Sequence, residues 1–275
     1  MKRKSKYTKK ITTNPVNVQK KNKNPKNVKV SKISTLKDRL NKIYNDKVNL
    51  STTCSGTCEC CKTAMPQMNY CEFTQLVNEI WETTSREEKI NMICTSIEYF
   101  MHNQFEKFGM QSLIKPCMLL KDNKCGYYDS RPLNCRIYGL WPSDCYEDRV
   151  DRFELAYDGM LTREQLPLNK QCPYVKRIDE SIPITSELLD DLFSQLDYVD
   201  AKVGQFTEVQ IKNRDNYRTL HDWLLLKVFD EDWLTKMTDF VLAANKESIS
   251  DLIEQIKIST RQRFSKDMPD LRSQK

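Results

Sequence analysis

The chain has 275 residues, of which 39% are hydrophobic and 30% charged, with a formal net charge of +6. That length buries enough apolar surface to fold without covalent staples, so its eleven cysteines are not needed as a framework. No stretch approaches the roughly 20 apolar residues of a membrane span, and the basic start is not followed by the apolar run of a secretory signal. A soluble, cytoplasmic protein is expected. In a reducing compartment an odd number of cysteines points to metal or thiol chemistry rather than disulfides.

Residues 1–37 hold 13 of the 44 Lys and Arg residues and no Asp or Glu. The remainder, with 31 basic against 38 acidic residues, is acidic. The segment 1–45 is therefore read as a basic tail. It is rich in Lys, Asn, Thr and Ser, lacks periodicity and buries too little to offset its ordering entropy, so disorder is expected. Such an arm can hold RNA, DNA or an acidic partner, or simply solubilise the chain. At its end Leu36, Leu40, Ile43 and Tyr44 make one helical stripe.

The segment 46–183 carries the cysteines. Within it Phe73, Leu76, Val77, Ile80 and Trp81 recur at helical spacing. Ser85 and Glu88 form a capping box ahead of an apolar face from Ile90 through Ile93, Cys94, Ile97, Met101 and Phe105 to Phe108, ended by Gly109. An irregular, turn-rich section from about 110 to 183 contains Pro116, Pro132, Pro142, Pro167, Pro173 and Pro183. The segment 184–275 has no cysteine and three further stripes: Leu188 to Leu196, Trp233 to Ala244, and Ile249 to Ile256. Period-2 alternation of any length is absent. The expected fold is mainly α, with helices around an irregular, turn-rich cysteine-cluster metal site and a disordered basic N-terminal tail.

The first thiol group is Cys54-Ser-Gly-Thr-Cys58-Glu-Cys60-Cys61. A tight loop at Gly56 lets several sulfurs converge, and thiolates are soft ligands suited to zinc or iron–sulfur centres. A second group comprises Cys117, Cys125, Cys135 within Arg131-Pro132-Leu133-Asn134-Cys135-Arg136, then Cys145 and Cys172. Cys54, Cys58 and Cys61 have the spacing of radical S-adenosylmethionine enzymes. Those enzymes use repeated strand–helix units and Gly-rich segments, whereas the six glycines here include no Gly-x-Gly. No P-loop or dinucleotide fingerprint is present either. A zinc ribbon wants two Cys-x2-Cys pairs about 15–20 residues apart; here 56 positions separate Cys61 from Cys117. Any four of the cysteines could still form a structural zinc site.

The order Cys117-Met-Leu-Leu120, Cys125-Gly-Tyr-Tyr128, Arg131 to Arg136 and Tyr138 resembles the YkgJ-type family, small cysteine-cluster proteins described as zinc- or iron-chelating. Their signature is Cys-x-x-Cys-x-x-Cys-Cys, then Cys-Pro-x-Leu, Cys-x-x-Tyr and Arg-Pro-x-x-Cys-Arg. This chain departs in spacing its first group Cys-x3-Cys-x-Cys-Cys and in placing Pro116 before Cys117. The resemblance covers about residues 54–172 and implies a ligand set of Cys54, Cys58, Cys60, Cys61, Cys117, Cys125, Cys135 and Cys172, with Cys145 as a substitute for the last. The same region resembles the cysteine domain of flagellin lysine N-methylases, which implies an iron–sulfur protein using S-adenosylmethionine on a protein substrate.

Several thiolates on one metal leave excess negative charge, which Arg131 and Arg136 beside Cys135 could neutralise; alternatively they pair with Asp129 or Asp148 around a turn. Cys94 lies on an apolar helix face and reads as a core thiol, and His102 and His221 read as structural. Three functions are compatible with these residues. The first is a metal-binding protein, in which eight thiols favour iron or iron–sulfur over one tetrahedral zinc. The second is a lysine N-methylase or iron-dependent redox enzyme. The third is a zinc-stapled interaction module whose tail binds nucleic acid.

Overall fold

A computed structural model describes residues 35–54, 61–62, 66–106, 116–156, 174–243 and 246–272. The chain divides into two units between residues 33 and 34, and every described residue belongs to the second. The expected disorder of the tail up to residue 34 lies outside the described residues. Helix α1 (Leu36–Asn45) begins at a capping box: the Thr35 hydroxyl accepts from the Asp38 amide at 3.1 Å, and the Asp38 carboxylate accepts from the Thr35 amide at 3.0 Å. Two orphan donors of the first turn are thereby satisfied. Leu40, Ile43 and Tyr44 are buried, so this last part of the presumed tail belongs to the folded body.

Strands β1 (Thr52–Cys54) and β2 (Gln67–Asn69) lead into α2 (Tyr70–Thr83) and α3 (Arg86–Glu106). The expected capping box opens α3, with Ser85 and Glu88 exchanging bonds of 2.9 and 3.2 Å. A hairpin of β3 (Leu120–Lys121) and β4 (Lys124–Cys125) turns at Asp122 and Asn123, both at positive φ, as a type I′ turn demands. A 3-10 turn (Tyr128–Ser130), α4 (Leu133–Arg136), α5 (Ser143–Ala156) and β5 (Val175–Arg177) follow. Then come α6 (Ser186–Val203), α7 (Glu208–Lys212), β6 (Tyr217–Thr219), α8 (Leu220–Val228), α9 (Glu231–Ala243) and α10 (Lys246–Lys266).

The mainly helical expectation is met, and among the described residues no helix is long and apolar enough to cross a membrane. Among those residues the strands form three antiparallel pairs, β1–β5, β2–β6 and β3–β4. They are two or three residues long, too short to show as alternation. Helix α5 lies inside the section read as irregular. It is rich in acidic and basic residues; among its described side chains Val150 is buried and Cys145 packs, partly buried, against the smaller core.

Two apolar cores share α2. Its Phe73, Leu76, Val77 and Ile80 join α3, α8, α9 and α10 in the larger one. Its Cys71 joins α1, α4 and α6 in the smaller one, with Leu50, Leu133, Ile137, Leu192 and Leu196. The end of α6 is closed against the larger core by an aromatic group in which Tyr70 lies 5.1 Å from Trp223 and 5.4 Å from Phe206. Gly204, the C-cap of α6, sits where a Cβ would land on the Phe206 ring and within 2.7 Å of Tyr70 Cδ1. We expect Gly204→Ala to cost ~1–3 kcal/mol through this overpacking, seen as a lower urea midpoint at unchanged slope; an unaltered midpoint would show that the rings yield freely.

Candidate metal centre

Of the eight cysteines expected as ligands, Cys58, Cys60 and Cys172 lie outside the described residues, and Cys54 is described by its strand position alone. Cys54 ends β1, opposite Val175 of β5, so the start of the first thiol group and the residues just after Cys172 are joined in one sheet. Cys61 is half-buried, and its carbonyl accepts the amide of the buried Cys117 at 2.5 Å. The Cys117 carbonyl in turn accepts from Leu120 at 2.9 Å, and Leu120 pairs with Cys125 across the hairpin. Cys61, Cys117 and Cys125 thus belong to one backbone unit. Among the described residues, no group of three or more His, Cys, Asp and Glu side chains is disposed to hold a metal ion.

Cys135 lies in α4, its amide bonded to the Pro132 carbonyl at 3.0 Å. The two arginines beside it are engaged with the main chain. Arg136 is buried; its Nε donates to the Arg131 carbonyl at 2.8 Å, its Nη2 to the Asp129 carbonyl at 2.5 Å, and its guanidinium lies 4.5 Å from the Tyr44 ring centroid. Burial pushes its pKa down. Arg131 stacks 3.4 Å from the Tyr128 ring centroid and donates to the Tyr128 carbonyl at 2.8 Å and to Thr52 Oγ1 at 3.1 Å. The acceptor at Asp129 is its carbonyl rather than its carboxylate. Together these bonds brace the turn 128–136 and fasten it to β1.

The remaining described thiols each have an acceptor within the protein. Cys71 Sγ donates to the Leu196 carbonyl at 3.8 Å, Cys94 Sγ to the Lys257 carbonyl at 3.8 Å and Cys145 Sγ to Ser186 Oγ at 3.2 Å. Burial and the neighbouring Asp200 and Glu72 carboxylates push the Cys71 thiol far up, which suits an inert core thiol. His221 is buried between α3 and α8, stacked on Tyr99 and 3.0 Å from Ser96 Oγ. The Ser96 hydroxyl donates to the Met92 carbonyl at 2.9 Å. The histidine therefore donates to it, a structural pair rather than a nucleophile with its base.

Two buried carboxylates were missed in the sequence. Glu72 is 3% exposed and Asp200 0%. Glu72 accepts from the Tyr44 hydroxyl at 2.5 Å, the Leu133 amide at 2.6 Å and the Asn69 amide at 3.0 Å. Asp200 accepts from the Cys71 amide at 2.6 Å and from the side-chain amides of Asn216 and Asn69 at 2.7 and 2.9 Å. Leu133 is the first residue of α4, so Glu72 caps the helix that carries Cys135. Asn69-x-x-Glu72 before an apolar run is a capping-box pattern that could have been read. Asp200 continues the Leu192, Leu196 stripe of α6 by one more turn, a polar residue at a core position.

Comparison with known proteins adds no relative: no family, no curated protein and no solved structure matches the chain.

Desolvation raises the Glu72 pKa to about 6 against the three hydrogen bonds that lower it, and burial raises that of Asp200. A carboxyl whose pKa is higher folded than unfolded binds its proton more tightly in the native state. Its contribution is present in full below the unfolded value and is lost as pH rises through about 6. For Glu72 that loss is on the order of 2 kcal/mol. Urea titrations of wild type and Glu72→Gln from acid to neutral pH should show the stability difference shifting against wild type as pH rises; a flat difference would mean that Glu72 is not desolvated.

Proposed function

We propose that this chain binds iron, as an iron–sulfur or multinuclear centre, through cysteine thiolates, with zinc as the second fit. The observation that supports this reading best is the hydrogen bond from the Cys117 amide to the Cys61 carbonyl. It joins the first thiol group to the second across more than fifty residues and continues directly into the hairpin of Cys125. Clustered thiolates are soft donors that select iron–sulfur, zinc or copper over hard cations. Cys54, Cys58, Cys60, Cys61, Cys117, Cys125, Cys135 and Cys172 would hold the metal. A bound iron–sulfur centre would supply one-electron transfer, tuned by the hydrogen bonds and charge around its sulfurs. The chain's own part is to deliver the thiols on braced turns: Arg136 and Glu72 fix α4 from its two ends, and Arg131 fastens β1 to the same turn.

Purification without oxygen, followed by metal analysis and a visible spectrum, tests the reading. Stoichiometric iron with broad visible absorption is expected. A colourless zinc protein would reject iron, and a metal-free one would reject both. Cys135→Ser should lose most of the metal, whereas Cys94→Ser, whose thiol is bonded between α3 and α10, should keep it. Equal losses would sink this division of ligand from core thiols.

A further inference from the structure

Phe229 caps the end of α8, and Asp230 accepts the Trp233 amide at 2.7 Å as α9 begins. The turn between the two helices lays the Phe229 and Trp233 rings on each other, 4.1 Å apart and 11° from parallel. With Met237 of α9 and with Leu252 and Ile256 of α10 they line a groove of about 370 Å³, within the range of about 300–1,000 Å³ of small-molecule sites. All five side chains are partly buried against the larger core. Trp233 and Met237 are four residues apart, as are Leu252 and Ile256, so each pair shares one face of its helix.

Two polar side chains of α10 distinguish this groove from an uncovered apolar seam. Thr260 is 5% exposed and lines the groove, yet its hydroxyl has no hydrogen-bond partner among the described residues. In the same two helices Thr235, Thr238 and Ser265 return their hydroxyls to the carbonyl four residues back, at 3.0, 3.0 and 2.7 Å, the usual local outlet for such a group. A buried hydroxyl without that outlet points to a ligand atom as its partner. Arg263 lies three residues further along α10, so the two side chains are neighbours about 5–6 Å apart at Cβ. Its guanidinium lies 5.9 Å from the Phe229 ring centroid and 5.1 Å from that of Phe264, and it makes no ion pair among the described residues. Arg263 is the charged member of the groove lining, which contains no carboxylate.

We propose that the groove between α9 and α10 binds a small amphipathic carboxylate. The carboxylate accepts from the Arg263 guanidinium and the Thr260 hydroxyl, and the apolar tail lies along Met237, Ile256 and Leu252. From Arg263 back to Leu252 is about 16 Å of helix, room for an extended tail. A cation would be repelled by Arg263, and an inorganic anion would leave the apolar wall uncovered. A neutral apolar ligand would leave the guanidinium without an acceptor. The site uses no cysteine and goes beyond the metal reading.

The test titrates the full chain with decanoate and with phenylbutyrate, and with decanol as the uncharged control, by calorimetry and tryptophan fluorescence. Saturable one-to-one binding of at least one acid is expected, with decanol weaker than decanoate by about tenfold or more, the worth of a hydrogen bond to a charged group. Arg263→Gln should weaken the acid about tenfold on the same ground. Thr260→Val, which removes the hydroxyl, should weaken it about threefold to tenfold. Neither change should alter decanol binding. Arg263 is exposed, so its variant judges the proposal even where Thr260→Val destabilises the fold. Saturation by neither acid overturns the proposal, as does an affinity that decanol equals or that both variants keep. A wild-type chain that sediments as a dimer, with Met237→Glu monomeric, overturns it as well, because a second copy then covers the groove. Failure of the chain to take up metal rejects the metal reading and leaves these titrations to stand alone.

Discussion

Two buried carboxylates at the start of α2 hold the two apolar cores in register. Helix α2 turns one face to each core, so its position fixes both, and its first turn is where polar groups from four other elements meet. Glu72 gathers the Tyr44 hydroxyl of α1 and the Leu133 amide of α4. Asp200 of α6 takes the Cys71 amide and the Asn216 side chain just before β6. Each of those donors, left unsatisfied, would cost about 1–3 kcal/mol. Burying two ionisable carboxyls is itself costly, as their raised pKa values show. Apolar contact alone tolerates sliding, whereas this set of bonds is met in one arrangement. Its value lies in specifying the packing more than in stabilising it.

The cysteine region inherits that order. Helix α4 is a single turn and could not persist alone. It is held at its start by Glu72 and at its end by Arg136, whose donors close the turn 129–136 and whose guanidinium packs on Tyr44. The hairpin of Cys125 is set by the left-handed pair Asp122 and Asn123 and is joined to Cys61 through Cys117. The same bracing explains why the conspicuous Arg-Pro-x-x-Cys-Arg block is rich in arginine: both side chains make bonds within the turn itself.

The long helices were legible because apolar residues recur every three or four positions, and the capping box at Ser85 is a local pattern complete within four residues. Helix α5 was not legible, since charged residues interrupt its apolar positions, of which Val150 is buried and Cys145 partly so. The strands were invisible for a different reason. A three-residue strand has no measurable alternation, and the partners of β1 and β2 lie well over a hundred residues away in the chain. Asp200 was hidden by its neighbours: the α6 stripe reads as apolar contact, and the polar residue that continues it has meaning only beside Asn69 and Asn216. The cysteine pattern was legible as a motif, but spacing cannot say which sulfur faces which.

That gap between motif and contact is sharpest for the arginines. Adjacency in sequence favours Arg131 and Arg136 as partners of Cys135, because a guanidinium one to four residues away is within reach of a thiolate. Reach is not availability. A guanidinium has five N–H donors, and in both of these residues several are spent on carbonyls or a hydroxyl that would otherwise be unpaired in a tight turn. Arg177 stands far from every cysteine of the first group in sequence, yet β1–β5 pairing sets it diagonal to Cys54 with its anion-gripping edge uncommitted. Which of these guanidinium groups keeps donors to spare follows from turn bonding and long-range strand pairing, not from the local motif.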